Sequence, residues 1–159
     1  MSLTIRGATV GDVPLILRLI KGLAEYEKLA DKVVATEELV RESLFGARPA
    51  AEVMIAEWEG EPAGFALFFH NYSTFLARRG IYLEDLFVLP EMRGRGVGRA
   101  LLARLSQVAL ERNCARLEWA VLDWNEPAIG FYKSLGALPM DDWTVFRLTG
   151  SALESLAGG

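Results

Sequence analysis

The chain has 159 residues, of which 52% are hydrophobic and 24% charged, as in an ordinary soluble protein of one domain. Lys and Arg total 17 against 21 Asp and Glu, and the resulting net charge of −4 disfavours nucleic acid as a partner. One cysteine and one histidine exclude an intramolecular disulfide, a cysteine zinc cluster and a histidine-pair metal site. No apolar run is long enough to span a membrane, and the N-terminus does not resemble a signal peptide. We therefore expect one cytoplasmic domain over residues 1–159 that works without metal and has no membrane partner.

The first half of the chain changes from helical to strand periodicity. Thr9 and Asp12 resemble a capping box, and Thr36 is an N-cap residue before a second amphipathic run that ends at Gly46. Residues 52 to 72 are rich in β-branched and aromatic side chains, with a turn at Gly60. The predicted elements are a strand at 3–8, helices at 11–29 and 37–46, and strands at 52–59, 63–72 and 80–89.

The second half alternates between helices and strands. Apolar residues at helical spacing predict a helix from Val97 to about Arg112, a strand follows at 115–122, and a helix at 125–136 ends at Gly136. A last strand is predicted at 143–149, before a short terminal helix. The order indicates a mixed α/β domain, with antiparallel hairpins first and a β-α-β crossover later. We expect Trp143 to lie in the core or at a subunit interface.

A turn rich in glycine and arginine separates the strand at 80–89 from the helix that follows. Its residues are Arg93, Gly94, Arg95, Gly96, Val97, Gly98 and Arg99. Glycine permits positive φ and close approach of a ligand, and the first N–H groups of a helix attract an anion. The arginines indicate that the ligand is negatively charged. The turn is therefore predicted to hold phosphate.

Two common phosphate motifs do not match this turn. A Walker motif needs Lys and then Ser or Thr after the last glycine, but Arg99 and Ala100 follow Gly98. The dinucleotide fingerprint needs a third glycine, which is absent at Arg99 and at Leu101. Glu118 does stand about 20 residues on, where a ribose-binding acid would lie, so a dinucleotide oxidoreductase stays open as an alternative. A turn without a ligand is the structural alternative.

The turn resembles the cofactor signature of the GNAT superfamily of acetyl-CoA-dependent N-acetyltransferases. That signature is Arg or Gln, two residues, Gly, one residue, and Gly or Ala, and it is matched by Arg93, Gly96 and Gly98. The segments 82–88, 124–127 and 131–133 resemble the diamine (spermidine/spermine) acetyltransferase branch. The resemblance implies a GNAT-like fold, with a mixed and mostly antiparallel sheet that is splayed at the cofactor site.

The same resemblance implies a cofactor site for acetyl-CoA that extends beyond the turn. Main-chain groups of the preceding strand bind the pantetheine amides, and N–H groups near its end are candidates for an oxyanion hole. Residues of the helix at 125–136 also contact the cofactor. The residues implied in addition to 93–99 are Leu86, Phe87, Val88, Asn125, Ala128 and Tyr132.

Two residues are candidates for proton transfer. Glu84 stands beside Asp85 in an apolar strand, where alternation points the two carboxylates to opposite faces unless a bulge intervenes. By resemblance Glu84 is the base, acting directly or through water, and Tyr132 is the acid that protonates the departing thiolate. Capping or ion pairing of the carboxylates, and a core position for Tyr132, are the structural alternatives.

Acidic and aromatic residues are candidates for binding a cationic amine. Those that match or lie near substrate positions of the branch are Tyr26, Glu27, Glu84, Glu118, Trp119, Asp141 and Asp142. A polyamine, a diamine and a lysine analogue all remain possible acceptors. The alternatives are a protein lysine or N-terminal acetyltransferase and a silent acyl-CoA-binding module. Exposed aromatic residues and the habit of the family predict a homodimer, and His70 is predicted to be structural.

Overall fold

The computed structural model describes residues 2–159, and they group into two compact units. The first ends at Ala120 and contains a five-stranded sheet with three helices; the second is Val121–Gly159 and contains two helices. The elements of the first unit are β1 (Leu3–Gly7), α1 (Val13–Tyr26), α2 (Glu37–Phe45), β2 (Glu52–Trp58), β3 (Glu61–Ser73), β4 (Arg78–Val88), α3 (Val97–Glu111) and β5 (Leu117–Trp119). Those of the second are α4 (Glu126–Ser134) and α5 (Gly150–Ala157).

Side-chain caps start the first two helices where the sequence predicts them. The Thr9 amide donates to Asp12 Oδ2 at 2.8 Å within a capping box, which opens a short 3-10 turn that leads into α1. The Thr36 hydroxyl accepts a bond from the Leu39 amide at 3.2 Å at the start of α2. At the other end of the chain, Gly136 takes φ +91° just after α4, in the left-handed conformation that ends many helices.

The sheet has the order β1-β2-β3-β4-β5, and every neighbouring pair is antiparallel except β4 and β5. Helix α3 joins β4 to β5 as the crossover that a parallel pair requires. The predicted mixed α/β fold with a mostly antiparallel sheet is confirmed. Hydrophobic side chains from α1 and from α3 cover the sheet, and the fully buried ones include Ile16, Leu19, Ile55, Phe65, Phe68, Leu101 and Leu105.

The ladder between β4 and β5 is short. It pairs 81–83 with 117–119 and stops at Leu83 and Trp119. Among the residues that the structure describes, the rest of β4 from Glu84 to Val88 therefore has no strand on this side. This is the splayed arrangement that the resemblance implies, and it leaves main-chain groups of β4 available.

Two predicted strands differ from the structure. The strand expected at 115–122 is limited to β5, and 143–149 forms no strand at all. A β-strand exists only where a neighbour completes its hydrogen-bond ladder, so strand-type composition alone is not sufficient. Trp143, which was predicted to lie in the core or at a subunit interface, is not in the core of the single chain, because its side chain is 76% exposed. No helix within 2–159 has the length and the apolar character needed to cross a bilayer.

Candidate active site

The glycine-arginine turn connects the end of β4 to α3, and two of its glycines adopt left-handed backbone. Gly94 has φ +78° and Gly96 has φ +77°, a region that costs other residues about 1–2 kcal/mol. A Cβ on either glycine would meet no heavy atom within 4 Å, so the space above the turn is open. Helix α3 begins at Val97, and its first amides have no partner inside the helix. The turn thus has the conformation of an anion-binding loop.

Arg93 fastens the turn to its surroundings. Its Nε donates to the carbonyl of Val88 at 3.2 Å, and its guanidinium lies 5.0 Å from the centroid of the Tyr26 ring. The Phe87 ring is 5.7 Å away. These cation–π contacts join the end of α1 to the turn.

Arg95 and Arg99 add positive charge beside Arg93. The Arg95 guanidinium lies 5.1 Å from the ring of Trp58, and Arg99 is exposed in the first turn of α3. None of the three arginines forms a salt bridge with any residue from 2 to 159. The helix dipole already places positive charge here, so the uncompensated arginines favour a bound anion.

The carboxylates predicted on β4 lie at a β-bulge. The register shifts between Leu67 and Phe68, which pair with Asp85 and Leu83, and Glu84 is left as the extra residue. A bulge interrupts the alternation of side chains, so Glu84 and Asp85 are not separated onto opposite faces. The pKa of Asp85 is raised first by burial and then by the charge of Glu84, and this second contribution agrees with the placement.

Three carboxyl groups interact around the bulge. Burial, followed by the charges of Glu84 and Glu27, raises the pKa of Asp85 to about 6. Burial and then Glu84 raise the pKa of Glu27, which is half-buried just after α1. A carboxyl group whose pKa is raised toward 7 can exchange protons at physiological pH. The three carboxyl groups together attract cations.

Glu118 and Trp119 lie on β5, next to this cluster. Glu118 accepts a bond from Asn71 Nδ2 at 3.1 Å and pairs with Arg116 at 3.2 Å. Across the ladder it faces Tyr82, whose pKa is raised by burial and by the charges of Glu84 and Glu118. Arg116 and Asn71 therefore already compensate part of the negative charge of Glu118.

The remaining predicted residues belong to the second unit. Asn125 is buried at the position before α4, and Ala128 is half-buried within that helix. Tyr132 is half-buried on α4, with its ring centroid 5.7 Å from that of Phe131. Asp141 and Asp142 are exposed in the segment that follows.

His70 has a structural position, as predicted. Arg112 donates to His70 Nε2 at 3.0 Å, so the ring proton lies on Nδ1, which donates to the Gly80 carbonyl at 3.1 Å. Buried Cys114 lies 3.8 Å from His70, and Arg112 also pairs with Glu52. Within 2–159, no three His, Cys, Asp or Glu side chains are grouped so as to hold a metal ion.

The sequence analysis missed two features of this site. Asp85 was considered only as the neighbour of Glu84, because a bulge cannot be located from alternation within a single strand. The stacking of Arg93 on Tyr26 joins residues that are far apart in sequence, and no local pattern indicates it. The paired acids in an apolar strand were the available signal for Asp85.

The site thus combines an open strand edge, a turn with the conformation of an anion-binding loop, and carboxylates at a bulge earlier in the same strand. Residues 20–137 match the model of the Acetyltransferase (GNAT) family, and the chain belongs to this family of acetyltransferases. GNAT acetyltransferases use acetyl-CoA as the acetyl donor.

Relatives resemble the chain over nearly its whole length. The thialysine N-epsilon-acetyltransferase of Bos taurus is 44% identical over 97% of this chain and 96% of its own. The L-ornithine N5-acetyltransferase NATA1 of Arabidopsis thaliana is 34% identical, covering 96% of this chain and 86% of its own. The structure of an integron cassette protein of V. cholerae superposes with a TM-score of 0.84 at 29% identity, over 100% of this chain and 99% of that one.

Proposed function

We propose that this protein transfers an acetyl group from acetyl-CoA directly to a primary amine of a small molecule of the lysine-analogue, diamine or polyamine type. One observation carries the proposal: β4 holds carboxylates at its bulge and leads into a cationic glycine turn. Val88 lies four positions after Glu84, or roughly 13 Å away at the usual rise of a strand. Sites of opposite charge thus lie at the two ends of one short open edge. The names of the relatives support an amino acid side chain or diamine as acceptor.

The residues of the first unit fit coenzyme A. The open cradle above Gly94 and Gly96 admits phosphate oxygens that a Cβ would displace, and the amides of α3 point toward it. Arg95 and Arg99 supply charge, while Leu86 to Val88 lie beyond the end of the β4–β5 ladder, where main-chain groups on the open side of β4 can bind the pantetheine amides. When bound, acetyl-CoA supplies the acetyl group as a reactive thioester.

The acidic cluster prepares the amine. A free alkylamine has a pKa near 10, so it arrives as an ammonium ion and must lose a proton before it can react. Glu27, Glu84 and Asp85 attract the ammonium ion, and the exposed Glu84 receives its proton at a carboxylate oxygen. Asp85 can also accept and release a proton, because its raised pKa keeps it partly protonated near pH 6.

The second unit supplies the other proposed groups. Tyr132 carries a phenolic hydroxyl, and its Oη–H is the group proposed to donate a proton to the departing thiolate. By the family resemblance, Asn125 and Ala128 are proposed cofactor contacts, and the proposed amine contacts are Tyr26, Glu118, Trp119, Asp141 and Asp142. We regard residues 1–159 as one cytoplasmic domain that acts as a homodimer, without nucleic acid or membrane as a partner. The single buried cysteine suits a reducing compartment.

A panel of acceptors tests the proposal. Release of free CoA is measured with thialysine, ornithine, lysine, spermidine, putrescine, a lysine peptide and free N-terminal peptides. We expect turnover with the small amines at a kcat/KM at least tenfold above that with peptides. Preference for a peptide would indicate a protein acetyltransferase, and binding of acetyl-CoA without turnover would indicate a silent module. Stabilisation by NAD(P) in place of acetyl-CoA would indicate the dinucleotide alternative.

A matched pair of variants links any turnover to the acidic cluster. Glu84→Gln removes the proposed base, whereas Glu61→Gln removes an exposed carboxylate at the start of β3, away from the bulge. We expect only the first change to slow CoA release. Equal rates for the two variants would contradict the role of Glu84.

A further inference from the structure

The side chain of Asn71 reaches across strand β4 to bind Glu118. Asn71 lies on β3 opposite Gly80 of β4, and its Nδ2 donates to Glu118 Oε1 on β5 at 3.1 Å. A Cβ on Gly80 would collide with Asn71 Oδ1, so only glycine leaves room for this side chain. The missing side chain of Gly80 therefore lets two strands that are not neighbours in the sheet form a side-chain hydrogen bond.

This arrangement leaves one polar atom of Asn71 unsatisfied. Its Oδ1 is buried and has no hydrogen-bond partner among residues 2–159. A buried acceptor without a partner lowers stability, and such atoms are rare in folded proteins outside functional sites. The position of Asn71 is therefore better explained by the bond to Glu118 than by the stability of the sheet.

Glu118 also forms an ion pair with Arg116, just before β5. Arg116 Nε lies 3.2 Å from Glu118 Oε1, the same oxygen that accepts the bond from Asn71. Within the part of the chain that the structure describes, the guanidinium donates no hydrogen bond, and none reaches Glu118 Oε2. The side chains of Arg116 and Glu118 are 48% and 34% exposed. A carboxylate oxygen and several N–H groups are thus accessible side by side.

The pair lies on the same face of the sheet as the carboxylates of the bulge. Glu118 is directly opposite Tyr82, and paired residues point their side chains to one face. Burial, and then the charges of Glu84 and Glu118, raise the pKa of Tyr82, which agrees with a position of the ring near both carboxylates. At the usual spacing of a sheet, Glu84 is about 8 Å from Glu118. An amino acid with three or four methylene groups is long enough to connect them.

We propose that Glu118 and Arg116 form a subsite for the α-ammonium and α-carboxylate groups of an amino acid whose side-chain amine is acetylated. Asn71 is the positioning residue of this subsite, because it fixes the Glu118 carboxylate. The inference deepens the proposed function and rests on it, since it selects one acceptor class among those named there.

The pairing of the two charges is what selects an amino acid. A lone carboxylate would bind any ammonium group, but Glu118 is already paired with Arg116. A ligand gains from both members only if it carries both signs itself. A zwitterionic amino acid does so, whereas a diamine or a polyamine brings a positive charge against Arg116 without a carboxylate to bind it.

Three ligands with the same terminal amine test the subsite without turnover. Lysine, cadaverine, which lacks the α-carboxylate, and 6-aminohexanoate, which lacks the α-ammonium group, are titrated into the full chain by NMR. CoA is present throughout, because it has no acetyl group to transfer. We expect lysine to bind at least tenfold more tightly than either analogue. An analogue that binds as tightly as lysine would overturn the proposal.

Matched variants assign each charge to its partner. Arg116→Gln should raise the Kd for lysine at least tenfold but leave cadaverine binding no weaker. Glu118→Gln should raise the Kd for lysine at least tenfold but weaken 6-aminohexanoate no more than twofold. A general loss of attraction for amines would weaken lysine and 6-aminohexanoate equally, and that result would refute the subsite. The controls Glu61→Gln and Arg41→Gln remove exposed charges on β3 and α2, and should change no Kd.

A double-mutant cycle tests the positioning role of Asn71. Asn71→Ala should raise the Kd for lysine about fivefold, while the Kd for 6-aminohexanoate and kcat stay within twofold. Gly80→Ala should do the same, because its Cβ displaces the Asn71 side chain. In the double variant the two effects should not add. Additive effects, or a loss of kcat at an unchanged Kd, would refute this role.

The binding measurements separate this inference from the proposed function. A protein that acetylates no amine, but binds lysine through Glu118 and Arg116, would refute the proposed function alone. An active acetyltransferase that binds lysine and cadaverine equally would refute the subsite alone.

Discussion

Asp85→Asn should stabilise the protein at neutral pH, and the gain should disappear in acid. Asp85 is a partly buried carboxyl group at the bulge of β4, and burial, Glu84 and Glu27 together raise its pKa from 3.8 to about 6. The folded state thus binds the Asp85 proton more tightly than the unfolded chain does. Asparagine has nearly the shape of the protonated acid but carries no charge that burial and neighbouring carboxylates can penalise.

The size and sign of the effect follow from linkage. Because the folded pKa lies above the unfolded value, the favourable contribution of protonated Asp85 is complete below about pH 4 and is lost as the pH rises through about 6. A shift of about two pKa units corresponds to about 3 kcal/mol. The free energy of unfolding of Asp85→Asn should therefore exceed that of the parent by up to about 3 kcal/mol at pH 7.5, and by nearly nothing at pH 4.

Urea unfolding at several pH values between 4 and 8, followed by far-UV circular dichroism, measures this difference. Asp12→Asn is the matched control of opposite sign, because a bidentate bond from Arg6 lowers the pKa of Asp12 to about 2. After allowance for solvent screening, Asp12→Asn should lower the free energy of unfolding by about 1 kcal/mol at pH 7.5. The decrease should become smaller as the pH falls toward 2. The reasoning fails if Asp85→Asn is no more stable than the parent at pH 7.5, or if its gain persists unchanged at pH 4.

Three further predictions concern activity and cofactor binding. Glu84→Gln should lower kcat about a hundredfold near neutral pH and move the acidic limb of the pH profile downward, because one charge that raises the Asp85 pKa is removed; an unchanged rate and profile would contradict this. Tyr132→Phe should lower kcat at least tenfold while calorimetry finds the Kd for CoA within twofold, and a large change in Kd with unchanged kcat would assign the hydroxyl to cofactor binding. Gly96→Ala should lower the free energy of unfolding by about 1 kcal/mol and weaken CoA binding, because Gly96 has positive φ. Gly98→Ala should be tolerated, since its Cβ meets only Val88 Cγ2 at 3.8 Å; equal losses in the two glycine variants would count against the conformational argument.

Local sequence patterns predicted the elements that are stabilised by contacts between residues close together in the sequence. The caps at Thr9 and Thr36 and the hydrophobic periodicity of α1 and α3 depend on contacts within a few residues, and each appears where expected. The turn at 93–99 was equally predictable, because glycine and arginine at the start of a helix act through the local backbone. The strand at 143–149 was not, since a ladder depends on a partner that the segment itself does not supply.

The sequence by itself determined the order of the elements up to α4, the glycine-arginine turn between β4 and α3, and the presence of two adjacent acids in β4. Only the tertiary structure decided that these acids interact, because the bulge arises from the register between β3 and β4 and the raised pKa of Asp85 from burial beside Glu27. It also decided that Arg93 stacks on Tyr26, which α1 brings to the turn. Composition and spacing fix what each segment can form alone, whereas pairing, burial and electrostatic coupling depend on what the fold places beside it.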